Sequence, residues 1–228
     1  MRAGVHWKIG GPVLIGLAIL VWMMGYLGNT YIRILTEPQT NVSQAAADSS
    51  KVEELQVTLD GLDFWICQVG VFQAEENAKS EKSRLEKLGW ETQIVGQNPW
   101  TVAIGYAHEQ GELNSLREGL KEGGVVNVVK HFVVPGQAYK ISGSGAEQTA
   151  QILLHVQNFL KTKPGQRGDT LNLLEKEMLT SWPKKLNPLQ QATAHVLEAE
   201  KNSDSDSQYQ GLLLLFSEYQ NTLNSLIR

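Results

Sequence analysis

The feature that most constrains the fold of this chain is an internal repeat, which spans residues 63–134 with a period of about 35 residues. Each copy opens with alternating apolar residues, and this alternation predicts a β-strand with one buried face. Each copy then carries apolar residues at helical spacing and ends at glycine, the residue best suited to a helix C-cap. A second strand follows in both copies. The superposed pairs include Trp65 with Trp100, Cys67 with Val102, Gly70 with Gly105, and Gly89 with Gly124.

Two such copies predict the order β-α-β-β-α-β. This order is typical of an α+β domain of the ferredoxin-like type, with a four-stranded antiparallel sheet and both helices on one face. The stripe of Trp65, Cys67 and Val69 is predicted to face the helices. The opposite face has no cover from these two helices and is therefore expected to be open. The residues expected on that open face are Ile66, Gln68, Gly70, Thr101 and Ala103.

An ordered set of residues within the repeat matches a known family pattern. The set consists of the run Trp65-Ile66-Cys67-Gln68-Val69-Gly70-Val71-Phe72, the pair Asn77-Ala78, the helix end Leu88-Gly89, and the run Trp100-Thr101-Val102-Ala103-Ile104-Gly105. It resembles the SPOR domain, a family related to sporulation and division. The resemblance implies a βαββαβ domain that binds peptidoglycan, with a preference for denuded glycan strands, from which amidases have removed the stem peptides. Such strands occur where the septal wall is split, so the resemblance also implies action at division or sporulation septa.

The open face defines the candidate glycan-binding residues, with Gln68 at its centre. The Gln68 amide offers two donors and an acceptor to a sugar, although a strand glutamine opposite an apolar stripe can also be simply solvated. Trp100 follows a Gln-Asn-Pro turn and is expected either to stack on a sugar or to lie on the buried stripe, as Trp65 does. Ile66, Thr101 and Ala103 would line the face. Gly70 would allow close packing, a strand bend or the approach of a ligand.

The N-terminal region predicts a single transmembrane helix. No charged residue lies between Lys8 and Arg33, and residues 9–32 are long enough to cross a bilayer. The alternative, a cleaved signal peptide, lacks a suitable cleavage site after its apolar core. Arg2 and Lys8 favour a cytoplasmic N-terminus. The chain is therefore expected in the cell membrane, single-pass, with its bulk outside the cytoplasm.

The cytoplasmic flank and the anchor occupy residues 1–35. Three further segments follow: a linker at 36–56, the SPOR-like domain at 57–136 and a helical region at 143–228. Four apolar stripes at helical spacing predict the helices of the C-terminal region. Because such stripes need partners, the region is expected to form a small bundle or, alternatively, to dock on another membrane protein or on a septal protein.

Composition and motifs exclude several functional classes. The net charge of −4 argues against a nucleic-acid partner. A single cysteine, Cys67, rules out an internal disulfide or a Cys-rich zinc site, and a buried thiol is expected there. His155 and His195 stand alone on separate predicted helices, without a metal-ligand pattern. No nucleotide-binding or nucleophile motif is present, so the chain is expected to have no catalytic residue, no metal and no cofactor.

The sequence thus favours a membrane-anchored, non-catalytic protein that binds denuded glycan. A structural interaction protein, which would use the sheet face and the C-terminal helices to bind a protein partner, remains the alternative, because fold alone does not fix function. An RNA-binding module has the same strand order, but the central strands lack the basic and aromatic residues that RNA stacking requires.

Overall fold

The computed structural model of the protein describes residues 54–202 and 204–226. The predicted anchor at 9–32 and most of the predicted linker lie outside these residues. In chain order the strands and α-helices are β1 Glu54–Leu59, β2 Leu62–Phe72, α1 Glu75–Lys87, β3 Gln93–Gly96, β4 Trp100–Ala107, α2 Asn114–Glu122, β5 Val128–Val134, β6 Gln137–Ser142, α3 Ala146–Lys161, α4 Gly168–Met178, α5 Asn187–Asn202 and α6 Ser205–Leu226. Short 3₁₀ turns precede α2 and α5.

The predicted β-α-β-β-α-β order is confirmed for residues 62–134. Strands β3, β4, β2 and β5 lie side by side in that order, and each neighbouring pair is antiparallel. Helices α1 and α2 pack on one face, where Cys67 is fully buried as predicted and Trp65 and Val69 are partly buried. The two helices are followed by Gly89 and Gly124, both with positive φ, as expected of C-terminal glycines.

The pair β2–β5 continues into a second pair, β1–β6, through a shared bend. Leu62 lies opposite Val134 in the first pair, and Leu59 lies opposite Gln137 in the second. The ribbon changes sheet between these positions. Strand β1 begins at Glu54, so the last three residues of the predicted linker belong to a strand instead.

Glycines allow the two chains to touch at this bend. A Cβ added at Gly136 would lie 2.8 Å from the backbone nitrogen of Gly61, and one added at Gly61 would lie 2.8 Å from the carbonyl oxygen of Val134. Both contacts are with backbone, which cannot turn aside as a side chain can. The bend therefore requires a residue without a side chain at both positions.

Replacing Gly136 with alanine is expected to lower the free energy of unfolding by about 1–3 kcal/mol, the usual cost of overpacking. Gly168→Ala is the matched control, since a Cβ there meets nothing within 4 Å. Urea denaturation of both variants measures the difference. Equal stability of the two variants would show that the chains are not in contact at this bend.

The C-terminal region is helical as predicted, but it does not form a separate bundle. Helices α3–α6 pack against one another, and α3 and α6 also pack against the strands on the second face of the sheet, so all described residues belong to one compact unit. The larger of the two apolar cores lies between these helices and the sheet. Among its fully buried side chains are Phe64, Tyr106, Phe159, Phe216 and Tyr219.

Two polar anchors fix α3 to the sheet. The Tyr106 hydroxyl donates a buried hydrogen bond to the Leu160 carbonyl oxygen at 2.8 Å, and burial raises the pKa of this phenol well above its usual range. The Gln157 amide accepts from the Asp60 backbone N–H at 3.2 Å and donates to the Asp60 carbonyl oxygen at 2.6 Å. These bonds satisfy buried polar groups that would otherwise destabilise the interface.

No α-helix within residues 54–202 and 204–226 combines the length and the apolar character that a membrane span requires.

Candidate functional site

The sheet face that was predicted to be open is covered. Ile66 is 1% exposed and Ala103 is fully buried, because α6 lies along β3 and β4 on this side of the sheet. The Phe216 ring of α6 lies edge-on against Phe64, with ring centroids 4.6 Å apart. The prediction of an open face is therefore wrong, and Ile66 and Ala103 are out of reach of a ligand in this structure.

The other residues predicted for this face lie toward one end of the sheet, and all three are half-buried. Gln68 stands opposite Ala103 and Val128, while Thr101 pairs with Gly96 at the edge strand. The register of β2 on β4 shifts between Gln68 and Gly70, which marks a β-bulge. A Cβ at Gly70 would come within 2.5 Å of the Phe72 ring. Close packing, one of the three roles considered for Gly70, is therefore the one that the structure supports.

Trp100 lies beside a concave surface that the sequence did not predict. This surface, the β3–α6 groove, has a volume of about 590 Å³ and runs between edge strand β3 and the C-terminal half of α6. The start of α1 and the β3–β4 turn complete its rim. The lining residues are Glu75, Lys82, Gln93, Ile94, Val95, Gly96, Gln97, Trp100, Ser217, Glu218, Gln220, Asn221 and Asn224.

Side-chain amides dominate the groove. Five of the lining residues are Asn or Gln, and they come from both walls: Gln93, Gln97, Gln220, Asn221 and Asn224. An amide donates and accepts hydrogen bonds at adjacent atoms. Gln97, Asn221 and Asn224 are exposed, whereas Gln93 and Gln220 are half-buried. The groove therefore presents paired donors and acceptors along its length.

Trp100 is the aromatic residue of the groove. The indole is half-buried, because one side packs on the core beneath α1 and α2 while the residue also lines the groove. Both roles considered for Trp100 from the sequence are thus compatible with its position. A ring held by the core loses little entropy when a flat ligand lies on it, which makes it a good stacking surface.

The charges of the groove are largely paired with neighbours. Lys82 Nζ lies 3.0 Å from Glu86 Oε1 and also binds the Thr92 carbonyl oxygen. Glu75 Oε1 lies 2.8 Å from Lys79 Nζ. Because these charges are paired and partly exposed to water, hydrogen bonds and stacking would dominate recognition here, with little long-range attraction.

Both walls of the groove are anchored in the cores. Val95 on β3 is 3% exposed, and pairing of Ile94 with Val102 holds β3 against the central sheet. On α6, Tyr219 and Leu223 point into the larger core, while Gln220, Asn221 and Asn224 reach the groove. A groove with fixed walls loses little free energy to ordering when it binds a ligand.

The remaining reactive residues do not form a second site. Cys67 is fully buried, and burial raises the pKa of its thiol to about 11, so the unreactive protonated form prevails near neutral pH. His155 pairs with Glu177 at 3.0 Å, and His195 pairs with Glu91 at 3.4 Å. Within the described part of the chain, no three His, Cys, Asp or Glu residues are placed to hold a metal ion.

Comparison of the chain with protein-family models, with curated proteins and with solved structures gave no match.

Proposed function

We propose that this protein is a membrane-anchored, non-catalytic peptidoglycan-binding protein of the SPOR type, which acts at bacterial division or sporulation septa and binds denuded glycan in the β3–α6 groove. The observation that carries the proposal is the groove itself, where five side-chain amides surround one anchored tryptophan. The strand order β3-β4-β2-β5 supports it, since this is the ferredoxin-like order that the SPOR resemblance implies.

The chemistry of the groove matches that of an N-acetylated glycan. Each acetamido group has one N–H donor and one carbonyl acceptor, and a Gln or Asn amide can pair with both. The weakly apolar face of a pyranose ring can lie on the indole of Trp100. A volume of about 590 Å³ is within the range of pockets that enclose small ligands.

Charge explains the expected affinity. A denuded strand carries lactyl carboxylates, and the groove has two carboxylates, Glu75 and Glu218, against one ammonium group, Lys82. Electrostatic attraction is therefore absent, and we expect weak to moderate binding that changes little between low and physiological salt.

A sedimentation assay of the full-length protein with purified sacculi tests this proposal. Binding is expected to rise when an amidase has removed the stem peptides. The double variant Asn221→Asp/Asn224→Asp should bind about tenfold more weakly, because it replaces two amide donors with carboxylates that repel the lactyl groups. Trp100→Ala should give a similar loss, with thermal melting used to confirm that the variant is folded.

The matched control is Asn158→Asp/Asn172→Asp, which adds the same charge at exposed helical positions outside the groove. It should bind like the wild type. A protein that never sediments with sacculi would contradict the proposed function. Binding that survives Asn221→Asp/Asn224→Asp but is lost in Gln68→Glu would contradict the groove as the site.

An interaction protein remains the second candidate, and one observation favours it. The sheet face is occupied by the protein's own helices, but α4 ends in an exposed apolar surface. Leu179 is 89% exposed and Leu173 is 39% exposed, beside a cleft of about 690 Å³ lined in part by Met178 and Leu197. In this alternative the partner would bind α4 and not the sheet. Replacement of Leu173 and Leu179 by serine would then abolish septal localisation, and neither the wild type nor this variant would sediment with sacculi.

A further inference from the structure

Strand β5 forms the other edge of the four-stranded sheet. It pairs with β2 on one side, and no described strand pairs with it on the other. It is seven residues long, and its outer positions are exposed: Val128 is 49% and Val133 is 60% exposed. An edge of this kind presents free backbone donors and acceptors to any strand that can lie beside it.

The common protections against edge pairing are largely missing from β5. Its register with β2 runs without a bulge from Leu62 opposite Val134 to Gln68 opposite Val128. The strand contains no proline and only one residue that is always charged, Lys130. Long, regular and apolar edges are the ones that pair with other chains.

The sequence of β5 is close to a palindrome, Val-Val-Lys-His-Phe-Val-Val. In an antiparallel pair of two identical strands, a two-fold axis through His131 places each residue opposite its mirror position. Val128 then faces Val134 of the second copy, and Val129 faces Val133. Apolar β-branched residues are favourable cross-strand partners. The strand is therefore complementary to itself in one register.

The charges of the strand also fit this register. Lys130 of one copy faces Phe132 of the other, so the two ammonium groups do not oppose each other and each can lie over an aromatic ring. The two His131 rings meet at the axis, and each already pairs with the Asp63 carboxylate of its own chain. The two His131 rings, which meet at the axis, therefore each have an opposite charge beside them.

We propose that the partner of β5 is a second copy of this chain, and that two protomers pair antiparallel through β5 about an axis at His131. The pairing joins two four-stranded sheets into one continuous sheet. It does not depend on the proposed glycan function. If that function holds, the dimer presents two grooves to one wall, and weak sites then bind together with higher avidity.

Disulfide trapping of the full-length protein in detergent tests the register. Opposed Cα atoms in an antiparallel pair are about 4.5–5.5 Å apart, which is within the range of a disulfide. His131→Cys should therefore form a covalent homodimer under mild oxidation. Neither Val128→Cys nor Val134→Cys should do so alone, but a mixture of the two should form the heterodimer. The native Cys67 is buried and does not interfere.

Sedimentation equilibrium in detergent tests the interface by substitution. Val133→Lys should weaken the dimer roughly tenfold or more, because it places an ammonium group opposite Val129 of the second copy. Val126→Lys is the control, since Val126 is 83% exposed but precedes the strand. A monomer at all concentrations, self-crosslinking at position 128, or a dimer equally stable in Val133→Lys would overturn the proposal.

Discussion

Replacing Phe216 with alanine is expected to lower the free energy of unfolding by about 3–5 kcal/mol, the cost of deleting a fully buried aromatic side chain. Phe216 is fully buried at the centre of the larger core. Its ring centroid lies 4.6 Å from that of Phe64, 6.0 Å from that of Tyr106 and 6.2 Å from that of Phe132. The neighbouring rings belong to three different strands, so the surroundings cannot collapse into the cavity without moving the sheet.

Chemical denaturation monitored by circular dichroism measures this loss. Leu179→Ala is the control, because Leu179 is 89% exposed and its truncation should change stability by less than about 0.5 kcal/mol. If Phe216→Ala lowers the free energy of unfolding by less than about 1 kcal/mol, α6 does not cover the sheet. The open face with Gln68 at its centre would then have to be reconsidered as the binding surface.

Removing the Glu200 carboxylate is expected to destabilise the protein by about 3–5 kcal/mol, because it leaves a buried guanidinium group without its counter-ion. Arg167 is 4% exposed and forms an ion pair with Glu200 on α5. Its Nε donates to the Thr162 carbonyl oxygen at 3.0 Å, and its carbon Cζ lies 5.1 Å from the centre of the Phe159 ring. The guanidinium group thus joins the α3–α4 connection to α5.

Comparison of a single variant with a double variant separates the ion pair from simple packing. Glu200→Ala should be much less stable than the double variant Arg167→Met/Glu200→Leu, in which two apolar side chains replace both charges. Glu198→Ala, on the exposed face of the same helix, should be near neutral. Equal stability of Glu200→Ala and the double variant would show that Arg167 reaches water and needs no counter-ion.

The β-α-β-β-α-β core could be predicted because its signals are local. Alternation in 65–69 and 100–104, helical spacing after each strand, and glycines at the helix ends are all properties of short segments. The bent ribbon of β1 and β6 was missed, because both strands are short and pair across more than 75 residues of chain. Only the glycines at 61 and 136 signal the bend in the sequence.

The sequence contains a signal that the second sheet face is covered. Phe64 and Ile66 alternate with the buried stripe of β2, and Ala103 lies between the stripe residues Val102 and Ile104 of β4. Strands with apolar residues on both faces are typical of sheets that are covered on both sides. Read together with four unpartnered apolar helices, this pattern indicates an internal partner for the sheet.

The groove could be predicted only in part. Trp100 and the turn before it stood out in the sequence, and both contribute to the groove. The second wall depends on where α6 crosses the sheet edge, which is a tertiary contact between residues more than 100 positions apart. Gln220, Asn221 and Asn224 look like ordinary solvated helix residues until that packing is known.

The most direct test of glycan binding in the β3–α6 groove is a titration of the ¹⁵N-labelled full-length protein with a soluble denuded glycan fragment. The side-chain amide signals of Gln97, Gln220, Asn221 and Asn224 and the indole N–H signal of Trp100 are expected to shift together and saturate. The amide of Gln157, which is 2% exposed and lies elsewhere in the core, should stay fixed. Shifts that centre on Gln68 while the groove signals remain unchanged, or no shifts at all, would contradict binding in the groove.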